Sequence, residues 1–141
     1  MKTQHWLITG GCGFIGSNLV ARILKDNPDN TIKILDNLSV GKVDDILKTC
    51  ELDSLPSQIE IIVGDIRDYA VCFKACEDAD VIVHLAANTG VAPSVENPKA
   101  DMEANVIGTF NMLEAARQKG VRRFVFASSG APVGECNPPI Q

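Results

Sequence analysis

The sequence predicts an α/β domain built on a doubly wound parallel sheet. Three observations predict it. Five short runs rich in β-branched residues recur along the 141-residue chain, each nearly continuous in apolar side chains, as strands buried on both faces require. Segments of helical period separate them, and that alternation leads to a parallel sheet with helices on its faces. A glycine cluster stands between the first run and the first helical segment, where a strand–turn–helix cradle for phosphates is built.

The first predicted strand covers residues 6–9 and ends at Gly10. Ile15, Leu19 and Ile23 then recur every four residues beside Val20 and Leu24, which predicts an amphipathic helix over 14–26, ended by Pro28 and Asn30. The second strand covers 31–35 and ends at Asp36. Residues 37–58 read as a loop with one helix over 43–51. A third strand, 59–63, ends at Gly64, and Asp68 can cap a short helix running to Cys76. The fourth strand covers 81–85. Asn97-Pro98 is a helix start, an Asn cap followed by a proline whose missing N–H costs nothing there. That helix carries Val106, Phe110 and Leu113 on one side and closes with Arg117, Lys119 and Gly120. The fifth strand covers 123–127. There is no internal repeat, low-complexity segment or linker, so 1–141 reads as one domain.

Composition excludes several classes. Thirteen basic and 18 acidic residues give a net charge of −5, with the cations scattered. Binding through nucleic-acid phosphates needs a basic footprint instead. No apolar run approaches the ~18–20 residues of a membrane span, and the first residues do not read as a secretory signal. Five cysteines, Cys12, Cys50, Cys72, Cys76 and Cys136, show no paired-ligand spacing. They read as free thiols in a reducing cytoplasm, with no metal site.

In a doubly wound sheet, ligands bind at the carboxyl ends of the strands, so the residues ending each run are the candidates. Gly10, Gly11, Gly13 and Gly16 satisfy two glycine spacings at once. Either one allows a tight turn, a close approach of backbone to a pyrophosphate, and close helix–strand packing. Asp36 stands where an acid accepts from ribose hydroxyls, and its charge repels a 2′-phosphate, favouring NAD over NADP; the plainer alternative is a turn or cap residue. Asp65 either accepts from an adenine amino group or is a simple turn residue. His84 reads as a packed strand residue rather than a catalyst. Asn105 braces a strand end, holds a water near the cofactor, or lies on the helix surface. Ser129 is one candidate among several for donating to a substrate oxygen. His5 and His84 are the only histidines, and no nucleophile elbow is present, so a hydrolase triad is excluded.

Together, residues 9–16, 35–39, 64–66, 84–87, 105–109 and 128–129 resemble, in order, the extended short-chain dehydrogenase/reductase family. The likeness is to its NAD-dependent nucleotide-sugar epimerases and dehydratases, and most to UDP-sugar 4-epimerases. It implies an NAD-binding Rossmann domain, incomplete at its C-terminal side and without its substrate domain. It implies that Gly10, Gly13, Phe14, Ile15 and Gly16 line the pyrophosphate. Asp36, Asn37, Leu38, Ser39 and Gly41 would wrap the adenosine ribose, and Asp65 and Ile66 would hold the adenine. Leu85, Ala86, Ala87 and Thr89 would lie along the cofactor toward the nicotinamide, with Asn105 near that end. Ser129 matches the family's active-site Ser/Thr.

The implied reaction oxidises a nucleotide sugar, expected to be a UDP-hexose, transiently to a 4-keto sugar and reduces it again on the other face. The family's catalytic Tyr-x-x-x-Lys falls beyond Gln141, so the chain by itself is expected to be inactive. Val133-Gly134, with Pro132 before it, replaces the usual Tyr-Gly, and Thr89 stands where UDP-galactose epimerases often carry Lys. Gly130 and Ala131 stand where dehydratases place acids, which favours an epimerase. A dehydratase or decarboxylase of the same family, a non-enzymatic dinucleotide-binding module and an interaction protein are the alternatives. Self-association, as a homodimer through a surface including 98–118 or through an open sheet edge, is the expected assembly.

Overall fold

The computed structural model describes residues 2–129. Expectations for Gly130 through Gly134 and for Cys136 lie outside those residues. The elements run β1 (His5–Thr9), α1 (Phe14–Asp26), β2 (Thr31–Asp36), α2 (Val43–Thr49), β3 (Ile59–Val63), α3 (Tyr69–Ala75) and β4 (Val81–His84). They continue with α4 (Val91–Glu96), α5 (Pro98–Met102), a π-helical turn (Glu103–Gly108), α6 (Thr109–Lys119) and β5 (Arg123–Phe126).

The sheet has the order β3-β2-β1-β4-β5, and every pairing is parallel. The chain winds outward from β1 to β3, then crosses back to place β4 on the other side of β1. Strand order therefore reverses between β1 and β4, and the crevice of a doubly wound sheet opens there. Thr9 pairs with both Leu35 and His84, so three strands reach the same carboxyl edge together.

Alternation along each strand sends side chains to two cores. Leu7, Leu35 and Ile82 face one core with Cys72, Ala75, Met112, Ala115 and Ala116 of α3 and α6. Ile8, Ile32, Ile34, Val81 and Val83 face the other with Val20 and Ile23 of α1 and Ile46 of α2. Most of these are fully buried, and each buried Leu, Ile, Val or Met among them stabilises the fold by ~1.5–3 kcal/mol.

The local signals act as expected at several ends. Asp68 accepts from the N–H groups of Ala70 and Val71 and caps α3. Asn97 accepts from the N–H of Ala100 and caps α5. Gly120 closes α6 in the left-handed region, at φ 71°, where a side chain would be strained. Two features were not foreseen. A short helix, α4, fills the stretch after β4. The single helix expected from Pro98 contains a π-turn between its α-helical halves. The apolar stripe Val106, Phe110 and Leu113 is exposed, and the side packed on the sheet is Met112, Ala115 and Ala116. No helix among the described residues is long and apolar enough to cross a membrane.

Candidate cofactor site

The turn after β1 is shaped by close backbone approach. Gly10 has φ 68°, and a Cβ there would stand 2.8 Å from the amide nitrogen of Ala86. A Cβ on Gly16 would collide with the carbonyl oxygen of Gly10 and the backbone of Gly11, so α1 can approach β1 closely only with glycine there. Gly13 stands at the start of α1 and offers no side chain to cap it. The first-turn N–H groups and the positive end of the dipole are thus left for an anion. Phe14 and Ile15 lie beside this end, 87% and 68% exposed. Two large apolar side chains so far out of the core form a ready surface for a flat ligand.

Asp36, the last residue of β2, ties this turn to the next loop. One carboxylate oxygen accepts from the N–H of Cys12 at 3.0 Å and the other from the N–H of Leu38 at 2.9 Å. Both oxygens retain acceptor capacity for a hydroxyl. Asn37 orders the loop by accepting from the N–H of Ser39 at 3.1 Å. Gly41 packs its Cα directly on the carbonyl of Cys12, where a Cβ would collide. Cys12 lies beneath this contact, and burial, with Asp36 and Asp45, pushes its thiol up to about 11. It is therefore a protonated packing group, not a nucleophile.

Asp65 is held by its neighbours. Arg67 grips it through Nε at 2.9 Å and Nη2 at 2.8 Å, its own N–H adds a bond at 2.9 Å, and Asn37 donates from Nδ2 at 3.1 Å. The Arg67 hydrogen bonds hold this carboxyl well below the usual carboxylate range. Ile66 is buried, and Asn111 of α6 donates to the carbonyls of Ile66 and Arg67, both at 3.0 Å.

The loop after β4 carries Leu85, Ala86, Ala87 and Thr89, the last two exposed. The hydroxyl of Thr9 accepts from the N–H groups of Leu85 and Ala86 at its start. Asn105, in the π-turn, accepts from the N–H of Asn88 at 2.8 Å and donates to its carbonyl at 2.9 Å. Of the readings open for Asn105, the brace is the one its contacts form. His84 is 1% exposed, bonded to Thr9 and Thr109 and stacked on Phe126, so it is a packed strand residue. Burial pushes its imidazole down to about 4. The N–H of Ala127 donates to the His84 carbonyl, which extends β5 alongside β4 and brings Ser129 out, exposed, at the same edge.

One edge thus gathers the glycine turn, Asp36, the 37–41 loop, Asp65–Ile66, the 85–89 loop and Ser129. Four contributors were missed by sequence reasoning: Thr9, Arg67, Asn111 and Thr109. Asn111 had a signal, a polar residue beside Met112 on the buried side of a helix. Among the described residues, no group of three or more His, Cys, Asp or Glu could hold a metal ion.

A model of the NAD dependent epimerase/dehydratase family matches residues 6–141. A UDP-glucose 4-epimerase of Mycolicibacterium smegmatis is 39% identical over 90% of this chain and 39% of its own length. A UDP-N-acetylglucosamine 4-epimerase of Methanobrevibacter ruminantium, solved with UDP-N-acetylmuramic acid, superposes with a TM-score of 0.86 at 33% identity, over 100% of this chain and 43% of that one. A UDP-glucose 4-epimerase of Thermus thermophilus, solved with NAD, gives a TM-score of 0.75 at 37% identity, over 89% of this chain and 38% of that one. The chain spans about two fifths of the length of each.

Proposed function

The chain belongs to the NAD-dependent epimerase/dehydratase family, and from that premise we propose that it is the NAD-binding part of a nucleotide-sugar 4-epimerase acting on a UDP-hexose. The observation that carries this reading is the uncapped start of α1. It faces out of a glycine turn too tight for any Cβ at Gly16, with the Asp36 carboxylate one loop away. That cradle fits a dinucleotide: N–H groups for the pyrophosphate, a carboxylate for the ribose, and Phe14 and Ile15 as apolar walls.

The residues divide the work by position. Gly10, Gly13, Phe14, Ile15 and Gly16 hold the pyrophosphate. Asp36, Asn37, Leu38, Ser39 and Gly41 take the ribose, and the Asp36 charge excludes a 2′-phosphate. Asp65 and Ile66 meet the adenine, the Asp65 carboxylate exchanging its bond from Asn37 for one from the adenine amino group while Arg67 keeps it oriented. Leu85, Ala86, Ala87 and Thr89 support the nicotinamide end, with Asn105 holding that loop. Bound NAD would supply a reversible hydride acceptor for the sugar as it passes through its 4-keto form. Ser129 would donate to the sugar oxygen and orient it. The one tyrosine, Tyr69, lies on α3, so these residues by themselves hold no phenolic base at the site and do not turn over sugar nucleotides. Gly130 and Ala131 favour epimerase over dehydratase. The free thiols suit a reducing cytoplasm.

The exposed stripe Val106, Phe110 and Leu113 supports self-association through this face of the helix.

Calorimetric titration of the chain with NAD tests the reading. Saturable one-to-one binding, at least tenfold weaker for NADP, is expected. No heat at millimolar NAD would remove the cofactor assignment, and equal affinity for NADP would remove the role of Asp36.

A further inference from the structure

We propose that Thr9, His84 and Thr109 are positioning residues for the 85–89 loop, acting through one polarised hydrogen-bond chain that links the sheet to Asn105. The functional part of this inference rests on the reading of that loop as the nicotinamide support. The chain itself stands on geometry.

Donor and acceptor accounting fixes its direction. Thr9 Oγ1 accepts from the N–H of Leu85 at 3.2 Å and from that of Ala86 at 3.1 Å. The Leu85 N–H is shared with the Thr9 carbonyl at 3.1 Å, so Oγ1 accepts one full and one shared bond, and its single proton is directed at His84 Nδ1 at 2.6 Å. Nδ1 is therefore an acceptor, and the ring proton sits on Nε2, directed at Thr109 Oγ1 at 3.1 Å. Thr109 donates in turn to the carbonyl of Asn105 at 2.8 Å. Because the Thr109 proton goes to that carbonyl, its oxygen is left to accept from Nε2–H, so both ends of the chain set the same direction. The opposite tautomer would set the Thr9 proton against a ring N–H.

Asn105 closes the circuit on the loop. Its side chain bonds both backbone groups of Asn88, and its second amide proton goes to Asp101 Oδ1 at 3.1 Å, which also accepts from Asn88 Nδ2 at 3.2 Å. The loop is thus gripped at 85–86 by Thr9 and at 88 by Asn105, and His84 joins the two grips. Burial keeps the imidazole neutral, as this chain requires. Buried networks of this kind fix one geometry, because every alternative leaves a polar group unpaired. A ligand lying on 85–89 feels that geometry without touching His84.

The test uses the 141-residue chain and needs no variant for its first part. Nitrogen-15 spectra should show His84 as the Nε2–H tautomer at pH 7, and an Nδ1–H tautomer would overturn the proposal outright. Thr109→Val removes the hydroxyl at nearly constant volume, and Thr109→Ser restores it. Thr109→Val should speed exchange of the Asn88 amide at least tenfold, leave α1 amides unchanged and weaken NAD about five- to tenfold. Thr109→Ser should stay within about twofold of wild type on both measures. Unchanged Asn88 exchange in Thr109→Val would refute the positioning role. Failure of the wild-type chain to bind NAD would refute the cofactor reading instead, and the tautomer and exchange results would still decide the positioning role.

Discussion

Two loops leave the carboxyl edge of the sheet, and they are held by opposite means. The loop at 64–67 is held by charge near solvent. Asp65 and Arg67 form a fork-like pair with side chains 27% and 47% exposed, and Glu103 stands at 4.0 Å from the same guanidinium. The loop at 85–89 is held mainly by neutral groups that are buried or part-buried, Thr9, His84, Thr109 and Asn105, with the Asp101 carboxylate behind Asn105. Exposed ion pairs exchange water for a partner at little net gain, typically 0–1 kcal/mol. Buried neutral bonds also gain little when made, but breaking one strands its partner at a cost of ~1–3 kcal/mol. The first arrangement is adjustable and sensitive to salt. The second is all-or-none.

Four measurements test that contrast. The largest effect is expected for His84→Ala, which opens a cavity beside Phe124 and Phe126 and leaves both threonine hydroxyls without their partner. Urea unfolding should show a loss of about 3–5 kcal/mol; a loss below 1 would put the two loops on the same footing.

Acid should act through the same residue. Folded His84 titrates near 4, against 6.5 for a free imidazole. Above pH 6.5 both folded and unfolded chains hold it neutral, and there is no penalty. As pH falls through 6.5 the unfolded chain takes the proton first. The resulting destabilisation grows to about 3 kcal/mol by pH 4. A His84 resonance with its midpoint above 6 would contradict this.

Asn111→Ala should cost about 2 kcal/mol by leaving the carbonyls of Ile66 and Arg67 unpaired. This places the buried part of the 64–67 grip between the two extremes. An effect within 0.5 kcal/mol would mean that water replaces the amide.

Arg67→Ala should cost less than about 1 kcal/mol, and the difference from wild type should shrink further in 1 M salt. A salt-independent loss above 2 kcal/mol would mean that the pair behaves as a buried one.

The fold was legible because its signals are local and redundant. Apolar runs predicted all five strands to within a residue or so, and Asp68, Asn97 and Gly120 mark helix ends by their own chemistry. The glycine turn was legible for the same reason: only glycine permits the backbone at Gly10 and the close approach at Gly16. The brace formed by Asn105 was one of three open readings, and its contacts with Asn88, 17 residues away, chose among them. The π-turn left no mark in the apolar period. Nor did the exposure of Val106, Phe110 and Leu113, since the period shows a stripe but not what covers it.

A parallel sheet, its strands and helix caps, and a glycine turn between β1 and α1 follow from the sequence alone. Each depends on backbone preferences or burial patterns that act over a few residues. How the loops at that edge are held follows from the packed fold. Thr9 and His84 are 75 residues apart, and His84 and Thr109 are 25 apart. A hydrogen bond has no sequence period. Its partners are chosen by which strands lie side by side, and that is settled only when the sheet has formed.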